Sequence, residues 1–428
     1  MPAPFKKTDI QGNILKPHGR AYARLIFFRF KEAEPSHIRK AMALLGKEVT
    51  SAAKQSRDAR GYKDGKKIDA DFVGLYFSSA GFRSMGLADM MPCPDDEYFL
   101  KGMADQRIAE RSGDYFNQIP QREIHKADAF LLIANKFADK LDQKAGYIKE
   151  RFLANIATDI AELDTKNLRD AQNNSIEHFG YLDGVSTPRD EKESGKMGLI
   201  KEKTGEGYGS FVAFRKIEQH TGHFQIMVEE LKAELGEKHG YDEQYCKALL
   251  MGRFPNGTPL ALSDKEKPGE EWANKAFDYK GDQDGSKCPL NAHIRVVNPR
   301  EKDAEGNIIS TPQIIRRGMA YEAEKDGKMV KGLCFLSYQS SIERNLSPLF
   351  QRMRGDMGGQ KDAIAYRPHI AEDEQDRATF YKKYGDISEG SFTQLIGGNH
   401  LTTFRGGQYF YAPSIPFLRD LEKLGAPE

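Results

Sequence analysis

The sequence predicts an α+β protein in which short strands and amphipathic helices occur in both halves of the chain. Three aromatic and β-branched runs in the first half have the composition of strands. Apolar residues at helical spacing follow them, and the same mixture returns beyond a polar stretch near the middle. Because strands and helices do not alternate regularly, the pattern favours α+β over a βαβ array.

In the first half, the strand-like runs are short and rich in Phe, Leu and Ile. They cover residues 23–30 (ARLIFFRF), 72–77 (FVGLYF) and 127–134 (ADAFLLIA). After the third run, Phe137, Leu141, Ile148 and Phe152 recur at steps of four, seven and four. This spacing places them on one stripe of a helix.

The second half begins after a polar stretch at residues 189–209, which has no sustained apolar period and is the best candidate linker. The expected domains are therefore residues 1–190 and 210–428. A strand is predicted over 211–217, and an amphipathic helix over 224–235 is predicted to end at Gly236. A loop-like insert at 263–287 precedes three further predicted strands, at 293–297, 313–321 and 332–338.

Composition excludes several classes of protein. The 428 residues include 64 Lys and Arg against 63 Asp and Glu, so a net charge of +1 gives no overall field that attracts nucleic acid or an anionic membrane. The four cysteines form no C-x-x-C pair, which argues against a zinc module or a disulfide framework. No signal-peptide pattern or membrane-length apolar stretch is present, so we expect a cytoplasmic protein.

Three local patterns carry chemistry. In the first, residues 179–188 (FGYLDGVSTP), two glycines bracket Asp183, although an Asp-Gly pair is also common in ordinary turns. In the second, His293 begins a predicted strand, where it fits a core residue as well as a ligand. In the third, Arg316 and Arg317 are adjacent in a predicted strand, so alternation turns one of them inward, where a guanidinium needs an anion. Together they suit a protein that holds an acidic cofactor and reacts with a peroxide.

In this order, the three patterns resemble the dye-decolorizing peroxidase family. The matching segments are the G-x-x-D-G loop at 180–184, His293 with the following Asn298-Pro299-Arg300, and Arg316-Arg317-Gly318. Residues 9–15 (DIQGNIL), 251–260 (MGRFPNGTPL) and 404–410 (FRGGQYF) also look like the family. The resemblance spans nearly the whole chain, and the chain's length and inserts are similar to those of the larger, advanced members.

The resemblance implies two ferredoxin-like domains with antiparallel sheets flanked by helices, and one non-covalent haem b per chain held mainly by the C-terminal domain. His293 is then the proximal iron ligand, Asp183 the distal acid and Arg316 the distal arginine. The expected haem contacts after the acid and after the ligand are Gly184, Val185, Ser186, Asn298, Pro299 and Arg300. The absence of C-x-x-C-H agrees with a haem that lacks thioether bonds.

The implied activity is a haem peroxidase that uses hydrogen peroxide to form a ferryl intermediate and oxidises dyes, phenols or other aromatic reductants. Neither nucleic acid nor membrane is an expected partner, and a homo-oligomer is compatible with the resemblance. The alternatives are a haem-handling protein with little turnover and a cofactor-free binding module. Two further hypotheses concern a carboxylate behind His293, in residues 372–374 or at Asp386, and Trp272 as a surface electron relay.

Overall fold

The computed structural model describes residues 5–63, 70–93, 95–114, 124–185, 191–203, 207–269, 277–300, 313–354, 362–364 and 401–425. The strands of this part are β1 Tyr22–Phe30, β2 Phe72–Phe77, β3 Ala129–Asn135, β4 Ala157–Lys166, β5 Leu168–Arg169, β6 Ser175–Ile176, β7 Ile200–Lys201, β8 Tyr208–Gln219, β9 Ile315–Arg316, β10 Met319–Lys325, β11 Lys328–Gln339 and β12 Thr402–Ala412. The α-helices are α1 Pro35–Gly46, α2 Ala52–Lys63, α3 Ser79–Ser84, α4 Glu97–Lys101, α5 Gln106–Ser112, α6 Ala138–Ile148, α7 Glu191–Gly198, α8 Thr221–His239, α9 Glu243–Met251, α10 His293–Val297, α11 Ser347–Met353 and α12 Ile415–Asp420. Short π-helical turns at Lys149–Leu153 and Ile342–Leu346 adjoin α6 and α11.

Ten of these strands form a single sheet whose pairings are antiparallel. Their order is β7-β8-β12-β2-β3-β1-β4-β10-β11-β9, and β8 also pairs with β11. This additional pairing joins the two ends of the eight central strands and closes them into a barrel. Strands from both halves of the sequence therefore share one sheet, which removes most exposed strand edges.

Strands β2 and β3 are buried on both faces along their full length, and β1 and β8 are buried over most of theirs. Inside the barrel, stacked rings from different strands fill the interior, and Tyr76 and Phe130 lie 4.2 Å apart between centroids. On the outer face, alternate residues such as Ile26, Phe28 and Leu75 pack against the helices. Burial on both faces explains why the first-half strands appear in the sequence as continuous apolar runs.

A third apolar cluster lies outside the barrel and positions the candidate site. It consists of α8 and α9 residues such as Phe224, Leu231 and Leu249, packed with Phe179 and Tyr181 from the G-x-x-D-G segment. The rings of Phe179 and Phe224 stack at 4.5 Å. The segment that carries Asp183 is thereby held against the helices of the second half.

The strands predicted at 23–30, 72–77, 127–134, 211–217 and 332–338 are confirmed. The strand predicted at 293–297 is wrong, because these residues form α10, in which Arg295 and Val296 donate backbone hydrogen bonds to the Ala292 carbonyl at 2.9 and 3.0 Å. Alternating apolar residues over five positions also fit a short helix that buries Arg295, so the pattern alone does not separate the two.

Other boundaries also differ from the sequence prediction. The predicted strand at 313–321 divides into β9 and β10, and the candidate linker contains α7 and β7. Helix α8 continues through Gly236 and ends at His239, and the φ of 70° at the following Gly240 suits a glycine that caps the helix. Phe137 precedes α6 and is 46% exposed, because only the later members of its stripe face the core. No helix in the described part of the chain is long and apolar enough to cross a membrane.

Glu202 is a buried carboxylate that holds the start of the C-terminal helix. It accepts hydrogen bonds from the Ser414 backbone N–H at 2.7 Å and from the Ser414 hydroxyl at 2.5 Å. Ser414 in turn caps α12 by accepting a hydrogen bond from the Phe417 N–H. Burial raises the pKa of Glu202, and the hydrogen bonds from Ser414 and Tyr411 oppose that effect.

We expect Glu202→Gln to gain stability relative to wild type as pH rises. Because folding raises the pKa of Glu202, its ionisation costs the folded state more than the unfolded chain. The stability that protonated Glu202 gives the folded state is fully present below the pKa of Glu202 in the unfolded chain. It is lost as pH rises through the pKa of Glu202 in the folded protein. Urea unfolding at pH 4 and pH 8 measures the difference between the two proteins.

The matched control is Glu97→Gln. Lys101 lowers the pKa of partly exposed Glu97, so this substitution should show the opposite trend with pH. An equal difference between wild type and Glu202→Gln at both pH values would contradict the expected role of Glu202.

Candidate active site

The loop that carries Asp183 is a tight turn between β6 and the second half of the chain. The Asp183 N–H donates to the Ser175 carbonyl at 2.9 Å, and residues 176 and 182 form an antiparallel bridge. Gly180 and Gly184 have φ values of 93° and 78°, which favour glycine. The Asp183 side chain is exposed and accepts a 2.7 Å hydrogen bond from the Gly184 N–H. The turn therefore presents a solvent-facing carboxylate.

The structure separates the two adjacent arginines. The Arg316 guanidinium donates to the Val185 carbonyl at 2.8 Å. The Arg316 side chain is exposed, yet desolvation by neighbouring protein atoms lowers its pKa, and the Asp183 carboxylate partly offsets this effect. Buried Arg317 points the other way and donates to the Asn13 and Ile14 carbonyls at 3.0 and 3.3 Å. Arg316 is therefore the arginine beside Asp183.

His293 begins α10 and is oriented by a buried carboxylate. Its Nδ1 lies 2.7 Å from Oδ2 of Asp362, whose side chain is inaccessible to solvent. The Asp362 N–H donates to the Met353 carbonyl at the end of α11. A proton on Nδ1 shared with Asp362 leaves the lone pair on Nε2, which makes no hydrogen bond to a described residue. The ring is arranged as a ligand through Nε2.

A buried ion pair holds the short helix α10. Arg295 Nη1 donates to Asp282 Oδ2 at 2.8 Å and to the Cys288 carbonyl at 2.6 Å, and its guanidinium lies 4.3 Å from the Tyr279 ring centroid. Asp282 also accepts from the Cys288 N–H at 2.9 Å. Because a five-residue helix is unstable alone, these contacts determine where His293 lies.

The turn after α9 connects the His293 helix with the Asp183 loop. Gly252 has a φ of 85°, and a Cβ there would lie 2.6 Å from the Ile294 side chain, so α10 packs directly on this turn. Three residues later, the Pro255 carbonyl accepts a 2.9 Å hydrogen bond from the Leu182 N–H. Helix α10 and the Asp183 loop, which are far apart in sequence, therefore both pack on the turn after α9.

Two largely buried arginines, Arg253 and Arg300, lie beside the turn after α9. Desolvation, then repulsion by Arg300 and Arg316, lowers the pKa of Arg253 to about 10. The guanidinium groups of Arg253 and Arg300 lie 5.5 and 4.0 Å from the Phe277 ring centroid. Desolvation also lowers the pKa of Arg300, whose buried Nε has no hydrogen-bond partner among the described residues. Such a cluster is suited to an anionic ligand.

Sequence reasoning missed two residues of the site. Arg253 lies in the segment 251–260 that supports the family resemblance, but no role followed from the sequence. Asp362 has no recognisable motif, and only the fold brings it to His293. The carboxylates suggested for this position, residues 372–374 and Asp386, lie outside the described residues, as do Ser186 and Trp272.

The other predicted haem contacts that the structure describes lie next to Asp183 or at the end of α10. Gly184 and Val185 contact Asp183 and Arg316 through their backbones. Asn298 caps the C-terminal end of α10, and its N–H donates a hydrogen bond to the Ile294 carbonyl at 3.2 Å. Partly buried Pro299 connects it to Arg300. The structure therefore brings Asp183, Val185 and Arg316 together and places Arg300 beside Arg253.

Two family profiles cover most of the chain. The DyP dimeric alpha+beta barrel domain matches residues 9–169, and the C-terminal domain of Dyp-type peroxidases matches residues 174–371. The chain belongs to the Dyp-type peroxidase family. It is accordingly a haem-dependent peroxidase, an enzyme that acts on hydrogen peroxide and a reductant.

Similar proteins agree with this membership. The multifunctional dye peroxidase DyP2 of Amycolatopsis sp. is 26% identical over 463 residues, covering 96% of this chain and 95% of the relative. The crystal structure of the Anabaena sp. DyP-type peroxidase AnaPX has a TM-score of 0.79 at 26% identity and covers 97% of this chain and 94% of its own. A deferrochelatase of Yersinia pestis is 24% identical over 190 residues, only 43% of this chain and 38% of the relative.

Proposed function

We propose that this Dyp-type peroxidase holds one non-covalent haem b per chain and oxidises dyes, phenols and other aromatic reductants. His293 would then hold the haem, and the pair formed by Asp183 and Arg316 would act on the peroxide. The observation that carries the proposal is the 2.7 Å contact between His293 Nδ1 and buried Asp362. This contact turns Nε2 away from Asp362 and leaves it available to ligate a metal.

The residues present fit a haem. His293 would ligate the iron through Nε2, and Asp362, which fixes the ring, would increase its electron donation. Haem also carries two propionate carboxylates, which suit the desolvated guanidinium groups of Arg253 and Arg300. The Arg300 Nε lacks a partner among the described residues and would gain one from such a carboxylate. Gly184, Val185, Ser186, Asn298 and Pro299 are proposed as the further haem contacts.

Asp183 and Arg316 supply the protein's part of the reaction. A bound haem iron would supply the two electrons that reduce hydrogen peroxide. Asp183, when ionised, would accept a proton from one oxygen of hydrogen peroxide and return it to the other oxygen, which leaves as water when the O–O bond breaks. Arg316 is held by the Val185 carbonyl, and its fixed charge stabilises negative charge on the peroxide.

We propose that residues 1–190 and 210–428 are two ferredoxin-like units. In the first, the strands are arranged β2-β3-β1-β4, and in the second β12-β8-β11-β10. If the two-residue strands are left out and the four long strands of each half are numbered in chain order, these orders are 2-3-1-4 and 4-1-3-2, which are the same order read in opposite directions. Arg253, His293, Arg300 and Arg316 belong to the second unit, which supports a haem held mainly there. The cytoplasmic location stays a prediction.

Haem handling without peroxidase turnover is the second candidate, because the deferrochelatase matches part of the chain. The pairing of Asp183 with Arg316 favours the peroxidase, since a storage site has no need of a proton acceptor beside a fixed cation.

We expect the purified chain to bind haem with a Soret absorption band that saturates at one equivalent. The loaded protein should then oxidise a phenol or an anthraquinone dye when hydrogen peroxide is added. Titration with hemin, followed by a dye-bleaching assay, measures both. A chain that stays colourless with hemin would reject the proposed cofactor site, and a loaded chain that releases iron without bleaching the dye would favour haem handling.

A further inference from the structure

The turn that presents Asp183 closes around one other carboxylate, that of Glu177. Glu177 Oε2 accepts from the Phe179 N–H at 2.9 Å, and Oε1 accepts from the Tyr181 N–H at 3.1 Å. The backbone of Glu177 adds two hydrogen bonds, to the Tyr181 carbonyl at 3.1 Å and from the Gly180 N–H at 2.9 Å. One side chain therefore organises residues 177–181.

A second element holds this carboxylate in place. Gln219, buried at the end of β8, donates from Nε2 to Glu177 Oε2 at 2.6 Å. Glu177 thus links the turn to the barrel. Burial raises its pKa, while the hydrogen bonds from Phe179, Gln219 and Tyr181 favour the ionised form.

Asp183 depends on its backbone for orientation. Within the described residues, its carboxylate makes a hydrogen bond to the adjacent Gly184 N–H and to no other element. The Leu182 and Asp183 N–H groups donate to the Pro255 and Ser175 carbonyls. Whatever sets the backbone from 179 to 183 therefore sets the position of the carboxylate.

We propose that Glu177 is a positioning residue that places Asp183 for proton transfer with peroxide. This inference rests on the proposed function of Asp183. Misplacement of a catalytic group by about 1 Å costs on the order of 100-fold in rate. Glutamine at this position offers one acceptor oxygen to three N–H donors and turns an NH₂ group toward them, so it should disturb the turn while preserving side-chain volume.

The test compares haem-loaded wild type with Glu177→Gln, Gln219→Leu and the control Glu243→Gln. Glu243 is a half-exposed carboxylate of α9 paired with Lys247, so the control makes the same chemical change outside the turn. We expect Glu177→Gln to retain haem and to react with peroxide about 10- to 100-fold more slowly. Hydrogen exchange of a peptide covering 175–185 should accelerate in Glu177→Gln and less in Gln219→Leu, with no change in the control.

A double substitution separates positioning from general destabilisation. If Glu177 acts through Asp183, Glu177→Gln has no further effect on the peroxide rate in an Asp183→Asn background. Equal slowing in both backgrounds, or unchanged exchange in the 175–185 peptide, would overturn the inference. If Asp183→Asn itself leaves the rate unchanged, the proposed function of Asp183 fails. A slow Asp183→Asn with a normal Glu177→Gln rejects the positioning role alone. Gln219→Leu carries the test if Glu177→Gln does not fold.

Discussion

His293→Ala is expected to weaken haem binding by more than about 100-fold, because loss of a ligand should exceed the 10- to 100-fold effect typical of its hydrogen-bonded partner. Asp362→Asn, which keeps the shape of that partner but removes its charge, should fall within the smaller range. Hemin titration followed by Soret absorbance measures both affinities. Added imidazole should restore part of the spectrum of His293→Ala, since it replaces the missing ring.

The control for this experiment is His220→Ala. His220 is also a partly buried histidine of the second half, and its ring contacts Thr403 at 2.8 Å rather than the Asp362 network. The His220→Ala variant should bind haem with the affinity and spectrum of wild type. An unchanged spectrum and affinity in His293→Ala would show that another residue ligates the iron.

Asp183→Asn is expected to keep haem but to slow the reaction with peroxide by about 100- to 10,000-fold, the range over which a positioned acid or base contributes. Arg316→Met should also keep haem and should slow the reaction by about 100- to 1,000-fold, the usual effect of removing one group that stabilises developing charge. Asparagine preserves the shape of Asp183 but does not accept the proton, and methionine removes the cation beside it. Stopped-flow mixing with a range of peroxide concentrations measures the rate, and the Soret band reports haem retention.

Arg317→Met is the matched control, since the adjacent arginine has the same side chain but a different environment. Its guanidinium donates to the Asn13, Ile14 and Arg316 carbonyls. Its loss should lower the free energy of unfolding by about 1–3 kcal/mol, because buried carbonyls lose their donor, and should slow the peroxide reaction far less. Full activity in both Asp183→Asn and Arg316→Met would reject the proposed acid and cation, though not the haem.

Local pattern predicted five of the eight barrel strands, namely β1, β2, β3, β8 and β11. Residues 72–77 and 129–135 are buried along their full length, so their apolar runs are unbroken and the prediction depends on no distant contact. The secondary structure of residues 293–297 was harder to predict, because alternation of apolar residues suggests a strand. The helix is favoured by the ion pair between buried Arg295 and Asp282, which a local pattern does not reveal.

The candidate site shows the same division. Asp183 and its flanking glycines are recognisable because a tight turn with positive φ values needs glycine at fixed positions. Sequence alternation requires one of Arg316 and Arg317 to turn inward but cannot say which one approaches Asp183. That choice follows from Val185 and Asn13, which lie far away in sequence and on opposite sides of the strand.

The sequence by itself determined the α+β class, most barrel strands, the family resemblance and the candidates Asp183, His293 and Arg316, because these depend on local periodicity and short motifs. Only the tertiary structure decided that both halves share one closed sheet, that Asp362 orients His293, and that Arg253 joins Arg300 beside the site. These features arise from contacts between segments tens to hundreds of residues apart, and such contacts leave no periodic signal in a single sequence.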